Sequence, residues 1–543
     1  MRLGQFFSIP GLLIGAVFFA LSLTPSLTPR SDLVQGSISG LSFAAGYGVG
    51  VLGSWLWSFL GLPVPADRSR RILQWTVAAL CVLLALVFLL QASKWQNSVR
   101  ALMGMEEVSE VRPFTVTLAA LALFLLVLAL ARLFRDVFFF LARKLEHLIP
   151  RRASLLLGLV AAFALFWGII NDVLISTALR TLDSSYQQLN AHIEPEMSPP
   201  GDPMKPGGAE SLLSWQDMGR QGRRYLGLRP SAADIAELTG EARNPIRVYV
   251  GLNAAERPKE RARLALEELK RLGGFERSLL VLITPTGTGW VDPGAINSVE
   301  YLHRGDIASV AVQYSYLPSP VALMTQAAYG RETAEAVFRA IYGHWRKLPR
   351  VTRPRLYLFG LSLGALNSDR SFDLYDIIDD PFDGALWAGP PFRSDTWRKI
   401  TVHRDPGSPA WLPQFRGGGV VRFGNQFGGF RKGKVPWGSF RIAYLQHASD
   451  PMVFFEPQVL YRKPAWMEAP RGKDVSPDLQ WYPIVTMLQL AADIHAGEAP
   501  MGFGHSYAPV DYVRAWLALT EPKGWSEDDL VYLRKRLARY NPR

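Results

Sequence analysis

"LYLFGLSLGALNSD", residues 356–369, runs a stretch of β-forming residues straight into Gly360-Leu361-Ser362-Leu363-Gly364, with helix formers behind it. A strand that ends in Gly-x-Ser-x-Gly and continues as a helix has to reverse within a few residues. Glycine at both outer positions removes side chains where strand and helix nearly touch. The turn then lifts the serine hydroxyl out of the sheet and points the following amides towards it. Read in this way Ser362 is a nucleophile on a strand-to-helix elbow. The competing reading is a serine in an ordinary glycine loop. The pentapeptide alone is a weak signal, and its flanks favour the elbow.

From about residue 245 onwards the surrounding chain alternates short apolar runs with longer helical ones. Residues 246–251, 278–284, 307–314, 355–359, 384–388 and 440–445 read as strands, and 257–272 and 333–345 as helices. Strands that are apolar along their whole length and separated by helices predict a mainly parallel sheet covered on both faces. Such sheets bind ligands at the carboxyl ends of their strands, and every motif below falls there.

A serine nucleophile needs a base and a group that orients the base. "AYLQHASDPMVFF", 443–455, puts Asp450 just past an apolar run, where a carboxylate can face a site. "MGFGHSYAP", 501–509, puts His505 in a glycine-flanked loop ahead of a helix. His495 at a helix end ranks second as base, and His447, before the aspartate, is expected to point away. Asp379 and Asp380 are the alternative acids. The developing oxyanion wants backbone donors. One is the amide of Leu363. The other is expected from "ITPTGTGWVDP", 283–293, at Gly287 or Thr288, with Trp290 as a wall of the pocket. That loop lacks the Gly-Lys-Ser/Thr ending of a nucleotide-binding turn.

The first third of the chain has a different character. Five apolar stretches of spanning length fall near 9–28, 38–61, 72–92, 114–134 and 154–175. The first lacks a small-residue cleavage site and is read as an uncleaved helix. Glycines 36, 40, 46, 50 and 53 in the second predict close helix packing. The loops around 67–71 and from Arg132 to Arg152, which holds Arg132, Arg135, Arg143, Lys144, Arg151 and Arg152, are strongly basic, which makes them cytoplasmic by the positive-inside rule. An odd number of spans then sends the remainder of the chain to the other side.

Residues 179–240, with prolines clustered at 195–206, read as a partly helical linker. The long stretch 391–440, rich in aromatic residues and glycine, reads as an insertion that lines an acyl pocket, forms a lid or packs as a surface subdomain.

The chain has 543 residues and a formal net charge of +12. That charge is dispersed and accompanies no zinc-finger, helix-turn-helix or RNA-binding signature, so lipid headgroups are the expected partner and nucleic acid is not. The single cysteine, Cys81, lies in an apolar run and excludes disulfides, thiol catalysis and a cysteine zinc site. No metal-ligand spacing occurs, and neither metal nor cofactor is expected.

Taken together, "SLTPSLTPR" (22–30), "TPTGTGW" (284–290), "GLSLGA" (360–365), "SDP" (449–451) and "GHSY" (504–507) resemble a group of bacterial membrane proteins. In that group a multi-span helical domain precedes an α/β-hydrolase catalytic domain. The resemblance implies a serine hydrolase fold and a triad of Ser362, Asp450 and His505. With the apolar stretches and basic loops above, the expected organisation is a transmembrane α-helical bundle of about five spans at 1–178, a linker at 179–240 and an α/β-hydrolase fold at 241–543, in a bacterial inner membrane with an extracytoplasmic catalytic domain. The expected activity is hydrolysis of carboxylic esters, with lipids or cell-envelope esters as substrates. An acyltransferase with the same triad and a non-enzymatic membrane scaffold or transport component are the alternatives.

Overall fold

The structure, a computed structural model, describes residues 7–63, 67–109, 112–194, 197–318, 321–322 and 327–538. The basic side chains at 68, 70 and 71 used above for topology lie outside the described residues. By its internal packing the chain divides into two units. One holds Met1–Thr181 with Phe455–Met467 and Lys473–Pro500; the other holds Leu182–Phe454, Glu468–Gly472 and Met501–Arg543. The expected continuous catalytic segment 241–543 is therefore interrupted by residues that fold with the amino-terminal helices.

The second unit is built on a sheet of seven parallel strands. These are β1 (Ile246–Val250), β2 (Leu279–Thr284), β3 (Ile307–Val312), β4 (Arg355–Leu361), β5 (Gly384–Ala388), β6 (Val421–Gly424) and β7 (Arg441–Leu445), in the order β1-β3-β2-β4-β5-β7-β6. β2 and β3 are buried at every position, as unbroken apolar runs require when helices cover both faces. The crossovers assign the helices to those faces. Pro258–Arg271 and Ala327–Trp345 each follow a strand whose successor lies towards β6, and they pack on one another. Pro293–Leu302 joins β2 to β3 in the opposite direction and packs on Pro509–Thr520. Because crossovers are right-handed, opposite directions put these two pairs on opposite faces.

The reversal also fixes where a site can form. From β2 the chain turns towards β1, and from β4 it turns towards β6, yet β2 and β4 are hydrogen-bonded neighbours with Thr284 opposite Gly360. Their following loops diverge and leave a crevice at the carboxyl edge. The "TPTGTGW" loop and the "GLSLGA" elbow are those two loops.

The stretch 391–440 contributes more to the core than a lid would. It supplies β6, which extends the sheet beside β7. Phe423 stacks on Tyr444 of β7, and Trp397 and Phe430 are buried, while Phe427 is half exposed. The four-residue strand was missed because its glycine-rich flanks carry no alternating pattern.

The first unit contains α1 (Ile9–Ser22), α2 (Asp32–Phe59), α3 (Asp67–Leu102), α4 (Pro113–Leu145) and α5 (Arg151–Gly168). Among the described residues three helices are long and apolar enough to cross a membrane: Ile72–Leu102, Pro113–Leu145 and Arg151–Asp172. This corrects the expectation of about five spans. α1 has only 14 residues, which at 1.5 Å per residue falls short of a hydrocarbon layer roughly 30 Å thick. α2 is long enough, but serine, glycine and glutamine interrupt its apolar run. Those small residues serve packing instead. A Cβ on Gly36 or Gly40 would meet backbone oxygens of α4 at 2.7 and 2.6 Å, and one on Gly46 or Gly50 would meet those of α1 at 2.6 and 2.4 Å. Gly53 has no such neighbour.

Candidate active site

Ser362 follows directly on β4 and precedes the helix Leu363–Asp369. Its backbone sits at φ 55°, ψ −123°, a region L-residues avoid because Cβ crowds the backbone. The surrounding structure must impose this strained geometry, and two tight contacts do so. A Cβ on Gly360 would lie 2.4 Å from the carbonyl of Gly364, and one on Gly364 would lie 2.2 Å from the carbonyl oxygen of Thr284 at the end of β2. Strand, helix and the neighbouring loop thus approach too closely for any other residue. The Ser362 amide donates to the carbonyl of Ala388 at 2.9 Å, tying the elbow to the end of β5.

Asp450 lies five residues beyond β7 and is fully buried. Its Oδ1 accepts from the amide of Met452 at 2.9 Å. Its Oδ2 accepts from His505 Nδ1 at 2.7 Å and from the Tyr507 hydroxyl at 2.6 Å. That arrangement leaves His505 Nε2 as the nitrogen able to act as a base. Nε2 is buried and without a hydrogen-bond partner among the described residues, so no bond to the Ser362 hydroxyl is formed here. Both residues nevertheless border one peptide. Ser362 is bonded to Ala388, and a Cβ on Gly389 would sit 2.7 Å from His505 Cε1. Such pairs are often loose without substrate.

The His505 loop is pinned to the Asp450 turn by side chains on the same stretch. His447 Nδ1 bonds the carbonyl of Gly504 at 2.9 Å, and the Ser449 hydroxyl accepts from the Gly504 amide at 3.0 Å. His447 is wholly buried, and its other nitrogen faces Asp511 at 3.4 Å. The expectation that it points away therefore fails: it reaches the His505 loop, though only its backbone. Sequence reasoning passed over His447, Ser449 and Tyr507 as supports. Their two-residue spacing along each loop, 447 with 449 and 505 with 507, is the signal that was available.

The alternative residues are engaged elsewhere. His495 is exposed and bonds Ala491 within its own helix, in the other unit. Asp380 makes a two-toothed ion pair with Arg353. The Asp379 carbonyl accepts from Arg350.

The loop after β2 is rigidly held. Thr286 donates its amide to Trp290 and accepts from the amide of Gly289, closing a turn in which Gly289 takes φ 86°. Gln313 donates to the carbonyl of Thr288, and Tyr249 to that of Gly289. Gly287 is buried, and Thr288 and Trp290 are half-buried. At the foot of the loop Asp292 caps the helix Pro293–Leu302 through Gly294 and accepts from the Tyr512 hydroxyl at 2.9 Å. Burial raises the Asp292 carboxyl to about 6, against the hydrogen bonds from Tyr512 and the helix amides.

A family model described as "Alpha/beta-hydrolase family" matches residues 246–533, and one described as "Alpha/beta-hydrolase family N-terminus" matches 23–230. No curated protein and no solved structure matches the chain. The first match begins with β1, ends in the last helix, Glu527–Ala538, and takes in the elbow, the Asp450 turn and the His505 loop. The chain belongs to the alpha/beta-hydrolase family, with an amino-terminal region that belongs to that family's own N-terminal model.

Proposed function

We propose that this protein is a membrane-anchored serine hydrolase that cleaves carboxylic esters through a triad of Ser362, Asp450 and His505. The reading rests above all on the 2.7 Å bond between His505 Nδ1 and Asp450, with His505 beside Gly389 and the strained Ser362 bonded to the adjoining Ala388. His505 Nε2 takes the proton of Ser362 Oγ as that oxygen attacks the ester carbonyl. Asp450 keeps the proton on Nδ1 and stabilises the imidazolium. The amide of Leu363 is offered to the oxyanion because the first amides of a helix have no intrahelical acceptor. A second donor comes from Gly287 or Thr288, each such bond being worth about 3 kcal/mol in the transition state. The imidazolium then protonates the departing alcohol. Water, deprotonated by the same nitrogen, releases the acid.

Esters of membrane lipids or of the cell envelope are the substrate class we assign, since the chain carries three helices able to span a bilayer. The side is argued from charge. In the sequence Arg68, Arg70 and Arg71 precede the apolar stretch Ile72–Leu102, while Arg143 and Lys144 close α4 and Arg151 and Arg152 open α5. With three crossings and both clusters cytoplasmic, the chain after α5 is extracytoplasmic, whatever α1 and α2 do. This is the topology of a multi-pass protein of a bacterial inner membrane.

A fluorophosphonate probe applied to the full-length protein tests the activity. Labelling is expected for the native chain and lost in Ser362→Ala; an unlabelled native chain ends the proposal. Asp450→Asn should lower kcat by about 10⁴-fold by favouring the wrong tautomer. A membrane-impermeant probe on intact and permeabilised cells tests the side, and equal labelling before and after permeabilisation is the expected result. Product analysis with and without an alcohol acceptor separates hydrolysis from acyl transfer.

A further inference from the structure

Oδ2 of Asp450 is shared by two side-chain donors, and the second is not needed to orient a histidine. We infer that Tyr507 is a positioning residue for the proposed triad, its hydroxyl setting the plane of the Asp450 carboxylate and sharing the oxygen that holds His505. The inference rests on the reading of Asp450 and His505 given above.

Oδ2 of Asp450 receives Tyr507 Oη at 2.6 Å and His505 Nδ1 at 2.7 Å. Oδ1 is occupied by the Met452 amide. A carboxylate held at both oxygens cannot rotate about its Cβ–Cγ bond, so the imidazole it holds cannot rotate either. The tyrosine is itself fixed. It is buried, its ring stacks on His447 at 4.3 Å, and it meets the ring of Tyr512 at 6.3 Å. Burial and the adjoining Asp450 charge push its hydroxyl well above the usual tyrosine range, so it stays a donor at any working pH.

The hydroxyl also has an electrostatic effect. An oxygen that already accepts a strong hydrogen bond offers less negative charge to an imidazolium. Tyr507 therefore takes up part of the Asp450 charge that would otherwise face His505. In a reaction that needs the neutral imidazole, removing that share is expected to show on the acid limb of the pH dependence. The other ionisable groups facing this cluster are His447 from the Asp450 turn, Asp511, Tyr512 and Arg514 from Pro509–Thr520, and Asp292 behind Tyr512. None of these bonds Oδ2 of Asp450 among the described residues, so a change at Tyr507 removes one of its two side-chain donors, along with the tyrosine's hydrogen bond to the His447 backbone.

The test is Tyr507→Phe in the full-length protein, which keeps the ring and its stacking. The acid limb of the pH dependence of fluorophosphonate labelling should move up by about one unit, as His505 becomes the stronger base. Tyr512→Phe removes a neighbouring buried hydroxyl that serves Asp292 instead, and should leave the limb in place. A Tyr507→Phe protein that labels more slowly at every pH with an unmoved limb overturns the inference, as does an equal shift in Tyr512→Phe. A ¹³C titration of the eight histidines, with His505 assigned through His505→Gln, reads the same shift without turnover. It decides the point even if the native chain proves unreactive, an outcome that would sink the proposed hydrolase instead.

Discussion

At the scale of single residues, backbone strain and buried charge each make a measurable claim. Ser362 holds φ 55° without being glycine, a conformation that costs roughly 1–3 kcal/mol. Ser362→Gly and Ser362→Ala both remove the proposed nucleophile, but only the first removes the strain. Ser362→Gly is expected to be the more stable by about 1 kcal/mol, read as a higher melting temperature in detergent, with neither variant labelled. Asp292 makes a claim about pH. Its folded value of about 6 lies above the ordinary aspartate value of 3.8. Between these values the folded chain holds a proton that the unfolded chain has released, so this group's contribution to stability falls as pH rises from about 4 to about 6. The full change amounts to about 3 kcal/mol. Asp292→Asn keeps the helix cap and should flatten that part of the curve. Burial also raises Asp369 to about 6, but it is unchanged in both proteins and cancels when their unfolding curves are compared at pH 4.5 and 7.

Among the elements, the elbow was legible because its constraint is local. Gly-x-Ser-x-Gly between a strand pattern and a helix pattern implies a reversal, and the contacts of Gly360 and Gly364 are the reversal's steric consequence. Gly364→Ala would drive a methyl group into the carbonyl of Thr284, backbone that has no room to yield. A loss of at least about 2 kcal/mol is expected, in line with overpacked interiors, and thermal unfolding of the full-length protein would measure it. A melting temperature equal to that of the native chain would show that β2 and the elbow can separate freely. The edge strand β6 was not legible. Four residues between glycines give no period to read, and only pairing with β7 makes Val421–Gly424 a strand. Spans were misjudged for a different reason: α1 ends after 14 residues, and serine, glycine and glutamine break the apolar run of α2, whose glycines pack its backbone against α1 and α4.

Over the whole molecule, the segment between the proposed acid and base is built into the amino-terminal unit. There the helix Val485–Ala496 is gripped by the "SLTPSLTPR" stretch. Arg30 pairs with Asp493 at 2.7 Å, both side chains fully buried, and Ser26 and the Leu27 amide bond the same carboxylate. Gln489 donates to the carbonyls of Ser22 and Thr24, and the Glu498 amide to Pro29. Removing one partner of a buried pair strands the other's charge, which costs about 3–5 kcal/mol. Arg30→Ala should accordingly lower the melting temperature of the full-length protein in detergent. Arg30→Met combined with Asp493→Leu should recover most of the loss, since an apolar pair has no charge to strand. If Arg30→Ala melts with the native chain, the pair is not what holds this helix.

By itself the sequence determined the parallel α/β sheet, the elbow at Ser362 and the family, because those depend on short-range patterns: unbroken apolar strands, glycine spacing, and motifs in a fixed order. Only the tertiary structure decided which side chains support Asp450 and His505 and how the chain between them is anchored. These depend on contacts between residues far apart in the chain. Tyr507 reaches Asp450 across 57 positions and Arg30 reaches Asp493 across 463, distances over which no local pattern records what will meet.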